Sequence, residues 1–541
     1  MIVLGISGGV NAGVQDSSAV IIKKGKLLFA QEEERFTRLK HSVSSLPLQS
    51  IKKGLSYCNL TIFDIDTVAY FAEYYNFRDR LKSFFLHHFN YCPKIVFKNH
   101  HLCHAASAFY SSGYKDSCIL TSDFSGDGIS SGLYYTKNNK IKTHKLFKKP
   151  QSLGIFYSMI TQVLGFRRDS DEYKVMGMAS YGKPKLDLSW LIKKTSDGYY
   201  LNESYLNKLN LSGTLLPSKQ EPVYNKNILK KINFNPSTIK AYNSHHYDFA
   251  ASAQKTLNEI IIHLTKKLQK KFNSQNLCIA GGVGLNCVMN QAILQSKIFK
   301  NIFIQPASSD AGTALGAAYL VSNDNGYKFN KLENVYLGNS YSNNYIKSSL
   351  KNSSAKFKEV KYPEKVAAKL LSENKIVGWF QGRHEYGPRA LGSRSILANP
   401  MNKNMKDILN KKVKFREQFR PFAPSCLEKD AKNFFILNDQ KSFPFMTFTV
   451  DVKSEKKSKI PSVVHVDGTA RLQTVSKKQN KIYYELINEF KKRTKVPIVI
   501  NTSFNVNGEP IVDTPEQALA AFFSTGMDAL LIGNFYLDKK F

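Results

Sequence analysis

A chain of 541 residues is too long for one ordinary core and calls for two or three domains. Its 42% hydrophobic and 12% aromatic content excludes a disordered chain, and no apolar run is long enough to span a membrane. The net charge of +35 suggests a polyanion partner, but all but 13 of the 77 basic residues are lysines, dispersed in pairs such as Lys23-Lys24 and Lys230-Lys231, which argues against a dedicated nucleic-acid surface.

The opening MIVLGISGG reads as a buried strand entering a glycine turn, not as a signal peptide, so a cytoplasmic location is expected. IVLGIS, GGVNAGVQDSS and AVIIKKGKLLFAQ give strand, Gly/Asp turn, strand, tight turn, strand. SCILTS, DFSGDG and SSGLYYTKNNKIKTHKLF repeat that order. The repetition suggests a duplicated α/β fold of the actin, sugar-kinase and heat-shock ATPase kind (ASKHA), with nucleotide between the halves. Helices are expected over 99–111 and, from its amphipathic spacing, 248–272. Two strand-turn-helix units follow, LCIAGGVGLNCVMNQAIL and NIFIQPASSDAGTALGAAYL. The first domain is set at 1–335, a polar linker or crossing at 336–355, and a second α/β domain at 356–541, which begins anew with a helix (PEKVAAKLLSEN) and a strand (KIVGWF). Seven scattered cysteines without a CxxC pair predict reduced, mostly buried thiols.

His100 and His104, four apart on a helix, project from one face and can share a metal. Asp123 at the end of a strand and Asp310 at the start of a helix occupy the loop positions where carboxylates of α/β active sites collect. Two imidazoles and two carboxylates suit iron, manganese or zinc. The glycine turns DFSGDG and AGGVGLN let backbone amides approach phosphate oxygens. Because arginine is scarce, its clustering informs: six of the 13 lie between Arg383 and Arg471. Arg389, Arg394, Arg420 and Arg471, with Lys414, call for an anion, and Asn501 and Ser503 could supply neutral hydrogen bonds to a carbonyl or amide. The bland alternative is a set of surface ion pairs with Glu385, Glu417 and Asp467.

The ordered motifs EEERFTRLKHS, NHHLCHAASAFY, DFSGDG, EYKVMGMASYG, AGGVGLN, SSDAGTALGAA, GRHEYGPRALGSRSIL, FREQFRPFAPS, DGTARLQTV and NTSFNVNGEPIV cover nearly the whole chain. They resemble the O-carbamoyltransferase family that includes the nodulation protein NodU and the enzymes for cephamycin and tobramycin. The resemblance implies an N-terminal domain similar to the tRNA threonylcarbamoyl-transfer subunit and a C-terminal YrdC-like domain. It further implies that the latter makes carbamoyladenylate from carbamoyl phosphate and ATP (with Mg2+), and that the former passes carbamoyl to an acceptor hydroxyl on a sugar, antibiotic or other metabolite. His100, His104, Asp123 and Asp310 then match the metal positions, with Fe2+ the favoured ion and Mn2+ or Zn2+ the others; Arg389, Lys414, Arg420, Arg471, Asn501 and Ser503 match the carbamoyl phosphate site. Gly126, Gly282 and Asn286 match adenylate-holding turns, and His104, Asp123 and Arg420 the catalytic positions. Acceptor contacts are expected in variable loops such as 185–245. One departure is Gln15, where relatives usually carry a histidine before the aspartate; glutamine carries no proton at neutral pH. The competing reading, favoured by charge and domain resemblance, is a tRNA threonylcarbamoyladenosine-type modification enzyme.

Overall fold

Ile2–Ser7 (β1) is apolar up to its last residue and buried from Val3 on, the pattern of a strand covered on both faces, and it lies at the centre of a five-stranded sheet. The structure is a computed structural model and describes residues 1–9, 15–73, 77–207, 221–232, 234, 236, 239 and 241–539. β1 runs antiparallel to β2 (Ser18–Lys23), which runs antiparallel to β3 (Lys26–Glu32). On its other side β1 is parallel to β4 (Thr67–Tyr70), and β4 to β5 (Lys94–Phe97). A second sheet copies this plan: β6 (Cys118–Gly126), β7 (Ile129–Lys137) and β8 (Lys140–Lys148) form an antiparallel meander. After a separate hairpin, β9 (Ile192–Thr195) with β10 (Gly198–Leu201), come β11 (Asn276–Ala280), parallel to β6, and β12 (Asn301–Ile304), parallel to β11. The orders β3-β2-β1-β4-β5 and β8-β7-β6-β11-β12 are the same, so the repeat suggested by the two strand-turn segments is a repeat of topology.

The helix His100–Ser112 is buried almost throughout and packs on Ala311–Asp324, a helix of small residues. Their approach is close enough that a Cβ at Gly316 would fall 1.8 Å from the carbonyl oxygen of Cys103. The small-residue run therefore brings Asp310, the residue just before the second helix, beside the histidines at the start of the first.

The chain divides into two compact units, Met1–Glu33 with His41–Leu332, and Glu34–Lys40 with Glu333–Phe541. Two details differ from expectation. The segment Glu34–Lys40 does not stay with the strand before it: Arg35 donates to the carbonyl of Gly387, and Arg38 to those of Pro510 and Ile511 at 2.7 Å each. The polar stretch 336–355 is not a bare linker, because its Asn and Ser residues cap and face a helix, Asn343–Asn352, whose Ile346 and Leu350 are buried.

The second unit is built on an eight-stranded mixed sheet of order β13-β23-β22-β14-β15-β21-β16-β20. Its strands are β13 (Lys358–Glu359), β14 (Val377–Phe380), β15 (Arg394–Ala398), β16 (Ala423–Leu427), β20 (Gln473–Val475), β21 (Ile498–Ser503), β22 (Ala529–Ile532) and β23 (Phe535–Asp538). A small sheet of β17 (Phe435–Ile436), β18 (Thr449–Val452) and β19 (Thr469–Arg471) adjoins it in sequence. The helices Pro363–Ser372 and Lys481–Thr494 pack against each other. All seven cysteines are free, five of them buried.

Candidate functional site

In the first unit four side chains from three elements meet. Asn99 caps the His100 helix by accepting from the Leu102 amide, and Asp127 accepts from the His100 amide at 2.8 Å, so a carboxylate anchors the positive end of the helix. That anchor comes from the second Asp of DFSGDG. The strand β6 runs on through DFSG, past a register irregularity between Ser122 and Gly126, and the turn follows at Asp127-Gly128. Asp123 therefore lies within the strand rather than at its end, at the irregularity, where its backbone falls outside the paired register.

His104 Nε2 lies 3.0 Å from Asp123 Oδ2, 3.4 Å from Asp310 Oδ1 and 3.1 Å from His100 Nε2; His100 Nε2 lies 3.5 Å from Asp310 Oδ1. Burial works against a charge on His104, but the hydrogen bonds and charges of the two aspartates outweigh it and hold its pKa at about 9. Burial likewise raises Asp310, while Asp123 is held well below the carboxylate range because both histidines oppose the effect of its burial. Two imidazole nitrogens that face each other at 3.1 Å require a cation or a proton between them. One ligand atom from each of the four residues lies within 4.8 Å of the others, a spacing and donor set that fit a divalent first-row ion. His101, between the pair in sequence, is instead a core residue bonded to Thr121 Oγ1 and the Ile129 carbonyl.

The three positions expected to hold adenylate have local duties. A Cβ at Gly126 would fall 2.1 Å from His100 Cγ, so the glycine makes room for the imidazole. Gly282 opens a 3-10 turn beside Asp123 Oδ1, and Asn286 caps the helix Cys287–Gln295 while donating to Gln254 Oε1 at 2.9 Å.

In the second unit Asn501, in the sheet interior on β21, is the hub. Its Nδ2 donates to the Ala390 carbonyl, Ser425 Oγ and Gln473 Oε1 at 3.0–3.1 Å. It thereby ties together the loop that carries Arg389, strand β16 and the segment that carries Arg471. Lys414 ends a π-helical turn, a geometry common at functional sites; its Nζ reaches Ser503 O at 2.9 Å, Asn505 O at 2.8 Å and Asn505 Oδ1 at 2.6 Å. Burial, reinforced by the charges of Arg416 and Arg420, pushes Lys414 well below the usual lysine range. Lys414, Arg420, Ser503 and Asn501 are thus gathered, with Arg389 and Arg471 on neighbouring segments.

One arginine of the expected anion group, Arg394, belongs to the scaffold, as does Arg383 from the same arginine-rich stretch. Arg394 is fully buried, stacks 3.7 Å over the Phe380 ring and donates to the carbonyls of Gln381 and Gly382. Arg383 donates to the carbonyls of Gly338 and Leu337. Of the carboxylates considered as surface partners, Glu417 lies 3.5 Å from Arg420, Asp467 accepts from the Thr469 amide, and Glu385 is not at the surface at all. Its Oε1 accepts from the amides of Leu391, Ser393 and Arg394 and so shapes the GPRALGSR loop. Sequence reasoning missed Glu385, Ser425, Gln473 and Asn505 as organisers of this site. For Ser425 and Gln473 the signal was a polar residue inside an apolar strand; Glu385 and Asn505 lie outside the strands and carried no such signal.

Two carbamoyltransferase families match successive parts of the chain. Residues 80–319 match the Carbamoyltransferase N-terminus family and 368–539 the Carbamoyltransferase C-terminus family. Nodulation protein NolNO of Sinorhizobium fredii is 38% identical over all of this chain and 83% of its own length. Nodulation protein NolO of Bradyrhizobium diazoefficiens is 39% identical over 82% of this chain and 79% of its own. Among solved structures, component A of the Acidaminococcus fermentans (R)-2-hydroxyglutaryl-CoA dehydratase aligns over 60% of this chain and 98% of its own at 15% identity, with a TM-score of 0.35. These family matches and relatives define an α/β enzyme that transfers carbamoyl groups. The chain belongs to the carbamoyltransferase family.

Proposed function

We propose that the protein is an ATP-dependent O-carbamoyltransferase whose two centres divide the reaction. The basic site around Asn501, with Arg389, Lys414, Arg420, Arg471 and Ser503, takes carbamoyl phosphate: water cleaves it to carbamate and phosphate, and the carbamate oxygen attacks the α-phosphorus of ATP-Mg2+, forming carbamoyladenylate and releasing pyrophosphate. The centre at His100, His104, Asp123 and Asp310 passes the carbamoyl group to a hydroxyl acceptor. The duplicated sheets are read as an ASKHA domain, which the shared strand order supports, and the second unit as YrdC-like. Nucleotide is assigned to the turns at Gly126, Gly282 and Asn286. The observation that carries the reading is the presence, in one carbamoyltransferase chain, of a four-ligand carboxylate–imidazole cluster and a separate buried cationic site. A divalent ion bound by the cluster would act as a Lewis acid on the oxygen it holds. The acceptor loops expected within 185–245 lie partly outside the described residues, over 208–220. The test is pyrophosphate release from ATP that depends on carbamoyl phosphate, with mass spectrometry of candidate acceptors for one added carbamoyl unit; release driven by threonine and bicarbonate instead would refute it.

Arg471→Ala should weaken carbamoyl phosphate binding by about 2–4 kcal/mol, and Arg471→Lys should recover little, because an ammonium cannot match two oxygens at once. Calorimetry with carbamoyl phosphate decides; wild-type affinity in Arg471→Ala would remove that residue from the site.

With its pKa held at about 9, His104 carries a proton at neutral pH, which an arriving metal must expel. Mn2+ titrated at pH 7 should release about one proton per ion, and its apparent affinity should rise about tenfold per pH unit until pH 9 and then level off. Calorimetry in two buffers of different ionisation enthalpy measures the release. His104→Ala should lose both the release and most of the binding.

A further inference from the structure

The segment Glu34–Lys40 belongs to the second unit, and His41, the first residue of the returning chain, takes up a left-handed backbone (φ 66°) that costs energy for a residue with a Cβ. Asp16 does the same (φ 53°). The two strained residues hold each other: the Asp16 amide donates to the His41 carbonyl at 2.7 Å, and Asp16 Oδ1 lies 2.7 Å from His41 Nδ1. Burial opposes a charge on Asp16, but His41 and a hydrogen bond from Ser309 outweigh it and keep the carboxylate ionised.

This pair adjoins the cluster. Ser309 precedes Asp310, and Ser18, two residues after Asp16, donates to the carbonyl of Ala311 at 2.8 Å. The segment 16–18 therefore grips the chain on both sides of one cluster carboxylate. Asp169, just before the helix Glu172–Ala179, lies within electrostatic reach of His41, Asp16 and Asp123 alike. A carboxylate that accepts from Nδ1–H fixes the imidazole tautomer with its lone pair on Nε2 and stabilises the imidazolium formed when that lone pair takes a proton. Neither residue has a duty in the reading given so far, and Gln15, immediately before Asp16, cannot move a proton.

We propose that His41, oriented by Asp16, is the general base of carbamoyl transfer. The inference rests on the two-centre reading above. In the step, the acceptor hydroxyl oxygen attacks the carbamoyl carbon of carbamoyladenylate and its proton passes to His41 Nε2. The bond between that carbon and the phosphate oxygen breaks, the electron pair leaves with AMP, and the proton on His41 is then lost to solvent. The products are a carbamate ester, AMP and one proton. His41 touches the reacting hydroxyl; Asp16 is a positioning residue.

The test uses the full chain and measures AMP release from supplied carbamoyladenylate with two nucleophiles: glycerol, whose hydroxyl needs a base, and hydroxylamine, whose nitrogen attacks without one. His41→Gln should lower release to glycerol by about 100-fold or more and leave hydroxylamine within about fivefold of wild type, which also shows that the variant folds. Asp16→Asn, which keeps a hydrogen-bonding oxygen but loses the charge, should fall between wild type and His41→Gln with glycerol only. Equal losses with both nucleophiles would make His41 structural, and undiminished glycerol transfer would leave it no part in the step; either overturns the inference. Wild-type protein that releases no AMP with either nucleophile would instead overturn the carbamoyl-transfer reading on which it rests.

Discussion

Arg420→Ala protein is expected to make no carbamoyladenylate from ATP and carbamoyl phosphate, yet to carbamoylate its acceptor when the adenylate is supplied ready-made. His104→Ala should do the reverse: adenylate synthesis persists while transfer falls by several orders of magnitude. The expectation follows from where the groups sit. Arg420 lies in the second unit, beside Lys414 and 3.5 Å from Glu417, where its charge helps depress the lysine. His104 lies in the first unit, at the centre of a cluster in which Asp123, Asp310 and His100 all lie within 3.4 Å of its Nε2. Removing that imidazole takes one donor from the cluster and leaves two half-buried carboxylates, so the Lewis-acid contribution that a bound ion would make, worth several kcal/mol, would be lost. Circular dichroism and melting must first show each variant folded. Both variants failing in both assays would mean a single centre and end the two-site mechanism.

What the sequence revealed of this site follows from how local each feature is. The pairing of His100 with His104 is written in a four-residue helical spacing, and the helix begins where Asn99 can cap it, so both were legible. Asp123 and Asp310 were legible as polar residues at the ends of apolar runs, although the strand carries on past Asp123 to Gly126. The repeat of strand order showed because each copy opens with a local meander; the parallel strands that complete each sheet begin 35 to 153 residues after the meander ends, which no local pattern marks. The same distance hid the second site. Asn501 draws on Ala390, Ser425 and Gln473, residues 28 to 111 positions distant, and in the sequence each is one small or polar residue among apolar neighbours. Scarcity of arginine singled out the stretch from Arg383 to Arg471, but could not set apart Arg383 and Arg394, which serve backbone carbonyls. The assignment of Glu34–Lys40 was likewise invisible, since its arginines act on carbonyls more than 350 residues further on.

Glu385→Ala is expected to damage the second unit more than loss of any single arginine, although Glu385 was readable from sequence only as a surface partner. Its side chain is fully buried, and its Oε1 alone satisfies the amides of Leu391 at 2.8 Å, Ser393 at 2.7 Å and Arg394 at 3.3 Å. Truncation would leave these donors unmet in a closed interior and deprive the buried Arg394 guanidinium of a nearby opposite charge. Breaking such a buried charged network costs about 3–5 kcal/mol. Glu385→Gln keeps an acceptor oxygen at the same place and gives up only the charge, so its loss should be clearly smaller. The loop has its own reporter: Trp379 Nε1 donates to the Gly392 carbonyl at 3.0 Å, inside the turn that Glu385 organises. In a Trp190→Phe background, leaving Trp379 as the one tryptophan of the chain, urea unfolding followed by fluorescence reads the stability of this region directly. The expected order of midpoints is wild type, then Glu385→Gln, then Glu385→Ala. Carbamoyl phosphate binding should follow the same order, because the loop that ends in Arg394 also carries Arg389, and Asn501 holds its Ala390 carbonyl. A Glu385→Ala protein with an unchanged midpoint would show that the three amides find other acceptors, and that this carboxylate does not hold the loop.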